Sequence, residues 1–170
     1  MKKMNCLAAA LALASAALSH AALSHAAEAP VLLRQQATIS SDAAVKLMAY
    51  AIAQAKQKGV STCIAIDDAN GNLLAFTRIG DAQPGCVEAA MGKARSAAAN
   101  GVNTQVFYDL AKDHNVALGF IPGILPAVAG VVMHRGTAVI GSVGIAGGPT
   151  DDAEKAFAAE LAATMAAWLQ

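Results

Sequence analysis

An α+β domain follows from three features of the sequence. Two β-branched or apolar runs, Ser61 to Asp67 and Asn72 to Arg78, are joined by Asp68-Ala69-Asn70-Gly71, where Asn-Gly readily takes positive φ and turns the chain back as a hairpin. A second pair, Val131 to Arg135 and Ala138 to Ile145, turns at Gly136. Three longer stretches space their apolar residues by threes and fours, as helices with one buried face do. Links of two to four residues cannot make parallel crossovers, so the sheet is antiparallel. The expected architecture is an antiparallel sheet built from two hairpins and flanked by three main helices.

The chain opens with Lys2 and Lys3, an apolar run from Leu7 to Leu18, and then small residues, the three regions of a secretory signal peptide. The run is too short to span a bilayer comfortably. The unit Ala-Leu-Ser-His-Ala occurs at 17–21 and again at 22–26, and each copy offers small residues for cleavage; a cut after Ala26 is expected. Cys6 precedes the apolar run, where a lipid-anchored cysteine would follow it. The product expected is soluble, without a stable membrane anchor, and periplasmic or secreted. Residues 1–26 are then the signal peptide, 27–39 a lead-in with a possible strand at Val31 to Leu33, and 40–170 one domain.

In the first helix Ser40 or Ser41 supplies the cap, Ala44, Met48, Ile52 and Ala55 share a face, and Gly59 ends it in the left-handed conformation. The second puts Val87, Ala90, Met91, Ala94 and Ala98 on one side, with Glu88 and Arg95 together on another. Thr104 caps a short third helix to about Lys112, and Gly119 to Gly130, broken by Pro122 and Pro126, is an ordered apolar loop. The last helix starts near Thr150 or Asp151. Asp151 and Glu154 have capping-box spacing, and Phe157, Leu161, Met165 and Trp168 form its buried stripe.

Composition narrows the function. The chain is 56% hydrophobic and about a quarter alanine, which excludes collagen-like, mucin-like and disordered classes. Twelve basic and twelve acidic residues cancel, leaving no charge excess to displace counterions from a nucleic acid. After loss of residues 1–26 ten basic and twelve acidic residues remain, a net charge of −2, with His114 and His134 as the imidazoles. Cys63 and Cys86 have an oxidising compartment in which to pair, but one falls in a strand and the other at a helix start, so spacing alone weighs against a disulfide.

Asp67-Asp68-Ala69-Asn70-Gly71-Asn72-Leu73-Leu74-Ala75-Phe76-Thr77-Arg78, then Pro84-Gly85, then Lys93-Ala94-Arg95-Ser96-Ala97-Ala98 resemble the GlcG/HbpS-like haem-binding family, which is related to the C-terminal domain of PduO-type proteins. The likeness continues through Pro122-Gly123, Val139 to Ile145 and Gly147-Gly148, covering roughly 40 to 168. It departs from the family pattern between Gly123 and Gly130, where relatives tend to carry Gly-Gly-x-Pro. The resemblance implies an antiparallel sheet flanked by helices and assembly into homo-oligomers. Some members bind haem outside the cell in haem or redox sensing; others are encoded beside glycolate use or form domains of corrinoid-related proteins.

Haem needs an apolar slot, cationic or hydroxyl partners for two propionates and an axial atom for iron. Arg78, Lys93 and Arg95 fall in the family-like segments and are the candidates for the propionates; the competing reading makes Arg95 and Glu88 a surface pair of little consequence. His114, close to Phe107, Tyr108 and Phe120, is the leading axial candidate, although a cationic ring at a helix end is also favourable without any metal. His134 is the second; it and Met133 alternate, so only one of them faces inward. Met91 reads as core, and Tyr108 as either a phenolate donor or part of the helix-loop cluster.

The Gly-rich stretch 141–148 matches neither a dinucleotide nor a P-loop fingerprint, and Asp151, Asp152 and Glu154 would repel a polyphosphate there. No Cys-x-x-Cys-His, zinc spacing or Gly-x-Ser-x-Gly is present in the sequence. Three functions follow as alternatives: an exported haem-binding module for sensing, sequestration or delivery; an enzyme acting on a small oxygenated acid or degrading haem; and a structural or partner-binding oligomer.

Overall fold

The computed structural model describes residues 33, 35–113 and 115–170. The signal peptide, most of the lead-in and its possible strand, and His114 lie outside the described residues.

Helix α1 (Ser41–Gln57) begins at Ser40, whose Oγ accepts from Ala43 N at 3.2 Å. Strands β1 (Thr62–Asp68) and β2 (Leu73–Ile79) form the first hairpin, with Gly71 at φ 79°. Asp68 secures that turn, its carboxylate accepting from Asn70 N, Asn72 N and Asn72 Nδ2. Helix α2 (Cys86–Asn100), helix α3 (Gln105–Lys112) and a 3-10 turn (Val116–Phe120) follow. Strands β3 (Gly130–Arg135) and β4 (Ala138–Ala146) make the second hairpin, and α4 (Asp151–Trp168) closes the fold. The sheet order is β2-β1-β4-β3, antiparallel throughout, with Cys63 opposite Ala146 and Asp68 opposite Gly141 at the two ends of the central pair.

Central β1 is buried on both faces, and alternation sorts its side chains. Ile64 and Ile66 join Leu47, Val143, Ile145, Phe157, Leu161 and Met165 in the larger core, which α1 and α4 cover. Cys63 and Ala65 join Ala82, Cys86, Ala90, Ala94 and Ala146 in a core of small residues under α2. Small side chains let the α2 backbone come close to the sheet. A Cβ at Gly144 would collide with Ala90 O and lie 2.6 Å from Ala94 N, so only glycine fits.

Several expectations change. Cys63 and Cys86 are bonded, with Cα atoms 5.6 Å apart, because α2 starts directly over the first residues of β1. Asp151 and Glu154 form no capping box: Thr150 is the cap, its Oγ1 accepting from Ala153 N at 3.1 Å, and the Glu154 carboxylate is engaged elsewhere. Thr104 does not bond the amides of α3; its Oγ1 accepts from Gly130 N at 2.9 Å, tying the helix start to β3. Ile52, Val87 and Met91 are half-buried, while Lys93 and Ser96 of α2 are buried. Trp168 remains 37% exposed, edge-on to Tyr50 and beneath the Lys46 ammonium.

The disulfide closes a loop with a sequence separation of 23. Loop-closure entropy makes such a bond worth about 3 kcal/mol. Cys63→Ala/Cys86→Ala is expected to lower the unfolding free energy from urea titration by that amount relative to the oxidised protein, and thiol titration of the unfolded, unreduced mature protein should find no free cysteine.

Candidate functional groove beside helix α2

The outward side of α2 and the 123–127 loop enclose a groove of about 500 Å³. Specific contacts dock the loop on the helix. Ser96 Oγ accepts from Leu125 N at 2.9 Å, and Asn100 Nδ2 donates to Ser96 O and to Gly123 O at 2.9 and 3.0 Å. Gly92 leaves room for Leu125, whose Cδ2 would lie 3.1 Å from a Cβ there. Ala89, Ile124, Leu125 and Ala127 supply apolar wall, and Glu88, Lys93 and Arg95 supply charge. The volume lies within the usual range of ligand pockets.

The two cations of the groove are differently placed. Arg95 is exposed and joins no ion pair among the described residues; its Cγ crosses the β1–β2 turn beside Gly71, and Glu88 does not pair with it. Its guanidinium is available to an anion. Lys93 is buried, and its ammonium donates to Ile145 O at 2.8 Å and to Glu154 Oε2 at 2.6 Å. Glu154 Oε1 accepts in turn from Gly148 N at 2.9 Å. Lys93 thus lines the groove while its charge is spent on the start of α4.

Asp67 lies under α2 at the level of Ala94, 1% exposed and opposite Ser142, whose hydroxyl donates to Ala94 O rather than to the carboxyl. Its Oδ1 has no hydrogen-bond partner. Burial, opposed by the charge of Arg95 and helped by that of Asp68, pushes the Asp67 pKa up to about 7. Asp67 carries its proton in mildly acidic solution and ionises near neutrality.

The other candidates lie apart. Arg78 is exposed on edge strand β2 opposite Cys63, at the end of α2 where Cys86 sits. Arg95 is nine residues farther along the helix, about 13 Å at 1.5 Å per residue. Phe107 is buried, and Tyr108 packs against the larger core; neither lines the groove. Phe120 is 87% exposed. Met133 is the inward member of its pair, and His134 is exposed near the β3–β4 turn, about 13 Å along the strand from Gly130, which abuts Lys93 O. His114 lies outside the described residues. Of the three basic candidates, Lys93 and Arg95 share the groove and Arg78 does not.

The residues present fit a porphyrin's apolar edge and one propionate on Arg95. Imidazole, thiolate, thioether and phenolate are absent from the described groove lining, where Glu88 and Ser96 are the remaining oxygen donors. Among the described residues no three His, Cys, Asp or Glu side chains gather as for a metal ion, and no helix is long and apolar enough to cross a membrane. The roles of Glu154, Ser96 and Asn100 were not foreseen from sequence. Asp67 did stand in the family-like segment, but its burial follows only from α2 lying across β1.

Two stability predictions follow. Lys93→Met leaves Glu154 buried without its counter-charge and should cost about 3–5 kcal/mol in urea unfolding, whereas Lys93→Met/Glu154→Leu should recover most of the loss. For Asp67 the folded pKa is about 7 against an ordinary value of 3.8. Its contribution is therefore fully present below about pH 4 and is lost as pH rises through 7, on the order of a few kcal/mol. Asp67→Asn should remove that fall, so unfolding free energies at pH 4.5, 6 and 8 should converge for the variant and decline for the native chain.

Comparison with known proteins places this geometry. The family model described as haem degrading protein HbpS-like matches residues 39–163. Among solved structures, Klebsiella pneumoniae protein ORFY superposes with a TM-score of 0.75 at 23% identity, covering 83% of this chain and 99% of its own. A double mutant of Streptomyces reticuli HbpS gives 0.69 at 28%, covering 80% and 96%. A PduOC–haem complex gives 0.66 at 24%, covering 74% and 94%. No curated protein matches. With the same four-stranded antiparallel sheet and flanking helices, and a family match across most of its length, the chain belongs to the HbpS-like family.

Proposed function

We propose that this protein is an exported haem-binding module that takes haem reversibly for sensing, sequestration or delivery, with the groove beside α2 as its site. The observation that carries the proposal is an apolar groove edged by an arginine that joins no ion pair among the described residues, in a member of a family described as haem-degrading. The apolar walls suit the porphyrin face, and Arg95 offers a bidentate, charge-assisted partner to a propionate. The same fold holds haem in the PduOC complex. His114 stays the axial candidate from sequence. Export accounts for the Cys63–Cys86 bond, which suits an oxidising compartment. Homo-oligomerisation belongs to the same reading, and the exposed Val106, Leu110, Val116 and Phe120 supply apolar surface for it.

The family description also favours a second reading, degradation of haem. Bound haem would bring the iron chemistry. This chain's own residues would hold the ring edge, orient a propionate through Arg95 and limit water in the groove.

Haemin titration of the mature chain should give a saturable Soret band. Loss of one charge-assisted bond, about 1.5–3 kcal/mol, should weaken binding about 10–100-fold in Arg95→Glu, with Arg78→Glu near native. Equal effects of the two variants would remove the groove from the proposal. A shifted band in His114→Ala would place that imidazole on iron, and an unchanged one would remove it. Bleaching of the band with ascorbate and oxygen, at a rate set by protein rather than by free haemin, would select the degradative reading.

A further inference from the structure

Alternation along β1 turns Asp67 to the same face as Cys63 and Ala65, the face that α2 covers. A carboxyl there is taken out of water with little to replace it. Asp67 is 1% exposed, and its Oδ1 meets no donor. Ser142, across the sheet on β4, spends its hydroxyl on Ala94 O. Leu73, the register partner on β2, and Val132 of β3, opposite Ser142, are apolar. Such a carboxyl is uncommon, because its ionised form gives up hydration and gains no hydrogen bond in return.

The charges that act on Asp67 among the described residues are Arg95 of α2 and Asp68, its neighbour on β1. Asp68 is occupied by Asn70 and Asn72 of the turn. Lys93, also on α2, is held by Glu154, and Glu88, seven residues before Arg95, does not pair with it. Arg95 joins no ion pair among the described residues; its Cγ passes over the turn at Gly71, four residues after Asp67, and its side chain lines the groove. One guanidinium therefore faces two claims, from an anion in the groove and from the carboxyl beneath α2. The Asp67 proton sets the strength of the second claim. Protonated, Asp67 is neutral and leaves the full charge of Arg95 to the groove. Ionised, it is a fixed, poorly screened negative charge that attracts the guanidinium and repels an arriving carboxylate. Burial pushes the Asp67 pKa up to about 7, so the changeover falls near neutrality.

We propose that Asp67 is an acid-operated control on the groove: its protonation frees Arg95 for an anionic guest, and its ionisation draws on Arg95 and weakens the hold on that guest. The control rests on the reading of the groove as a site for a carboxylate-bearing ligand, and it adds regulation by pH to that site. Linkage requires the reciprocal effect, so a bound anion holds the Asp67 proton to higher pH.

The control is tested first without any ligand. In the mature protein the Asp67 carboxyl carbon and the Arg95 Nε–Hε resonance should titrate together near pH 7, and in Asp67→Asn the Arg95 resonance should stay flat from pH 6 to 8. Arg95→Gln, altered at an exposed side chain, should move the Asp67 midpoint upward, because the charge of Arg95 favours ionisation. Haemin is then titrated into both chains at pH 6 and 8, with Asp67→Asn correcting for the acid–base chemistry of haemin itself. The native chain should match the variant at pH 6 and bind about tenfold more weakly than it at pH 8. If haemin binds neither chain, the haem reading fails by itself, and benzoate, followed on the Arg95 resonance, should show the same tenfold difference. If Asp67→Asn does not fold, the native titration and Arg95→Gln decide. An Arg95 resonance that does not follow Asp67, an Asp67 midpoint unmoved in Arg95→Gln, equal affinities of native and variant at pH 8, or no binding of either probe would overturn the proposal.

Discussion

The buried Lys93–Glu154 pair is the contact around which α2, the end of β4 and the start of α4 are arranged. The two side chains are 9% and 8% exposed, and taking such ions out of water costs several kcal/mol each unless their remaining hydrogen-bonding capacity is met. Here Ile145 O takes one ammonium proton and Gly148 N serves the second carboxylate oxygen. Both helpers lie at or just beyond the end of β4. The pair is satisfied only when α2, the last residues of β4 and the first turn of α4 occupy their observed places. Such a contact specifies an arrangement more than it adds net stability, because an apolar pair of equal volume would escape the desolvation cost.

Backbone geometry makes that pair possible. Ala129 has φ 68°, an uncommon conformation for a residue with a side chain, and its carbonyl accepts from Ile145 N at 3.1 Å. The chain bends away immediately before β3, so Ile145 O has no strand partner on that side and takes Lys93 Nζ instead. Gly130 and Gly144 remove the two side chains that would hold α2 off the sheet at this level. Alanine on the facing side of α2 completes the approach. The alanine-rich composition thus has a structural use: it sets α2 close enough for a lysine side chain to act as part of the sheet's edge.

The hairpins, the three long helices and the antiparallel sheet were legible because local signals agreed with the tertiary result: Asn-Gly at a turn, Ser at a cap, apolar residues at helical spacing. What could not be read was the competition for polar groups. Glu154 sits three residues after Asp151 and looks like half of a capping box, but a buried ammonium is a stronger claim on a carboxylate than a solvated amide. Thr104 is likewise diverted to Gly130. The disulfide escaped for the opposite reason, since a strand residue and a helix-start residue come together only through the crossing of α2 over β1. In the groove, family-like sequence supplied Lys93 and Arg95, but no local pattern distinguishes a lysine that is free from one already paired.

That distinction bears on how haem would be held. A porphyrin carries two propionates, and in the described groove the guanidinium of Arg95 can meet one of them while Lys93 remains occupied by Glu154. Recruiting Lys93 would strand a buried carboxylate, a penalty comparable to the gain from the new ion pair. In the proposed haem complex the second propionate would therefore stay in water, with the ring meeting the groove by one apolar edge. A guest with one charged group anchored and the other solvated retains much of its hydration and leaves readily. Under the proposed function this geometry would suit exchange of haem with the surroundings better than permanent burial, and orientation in the groove would depend on Arg95.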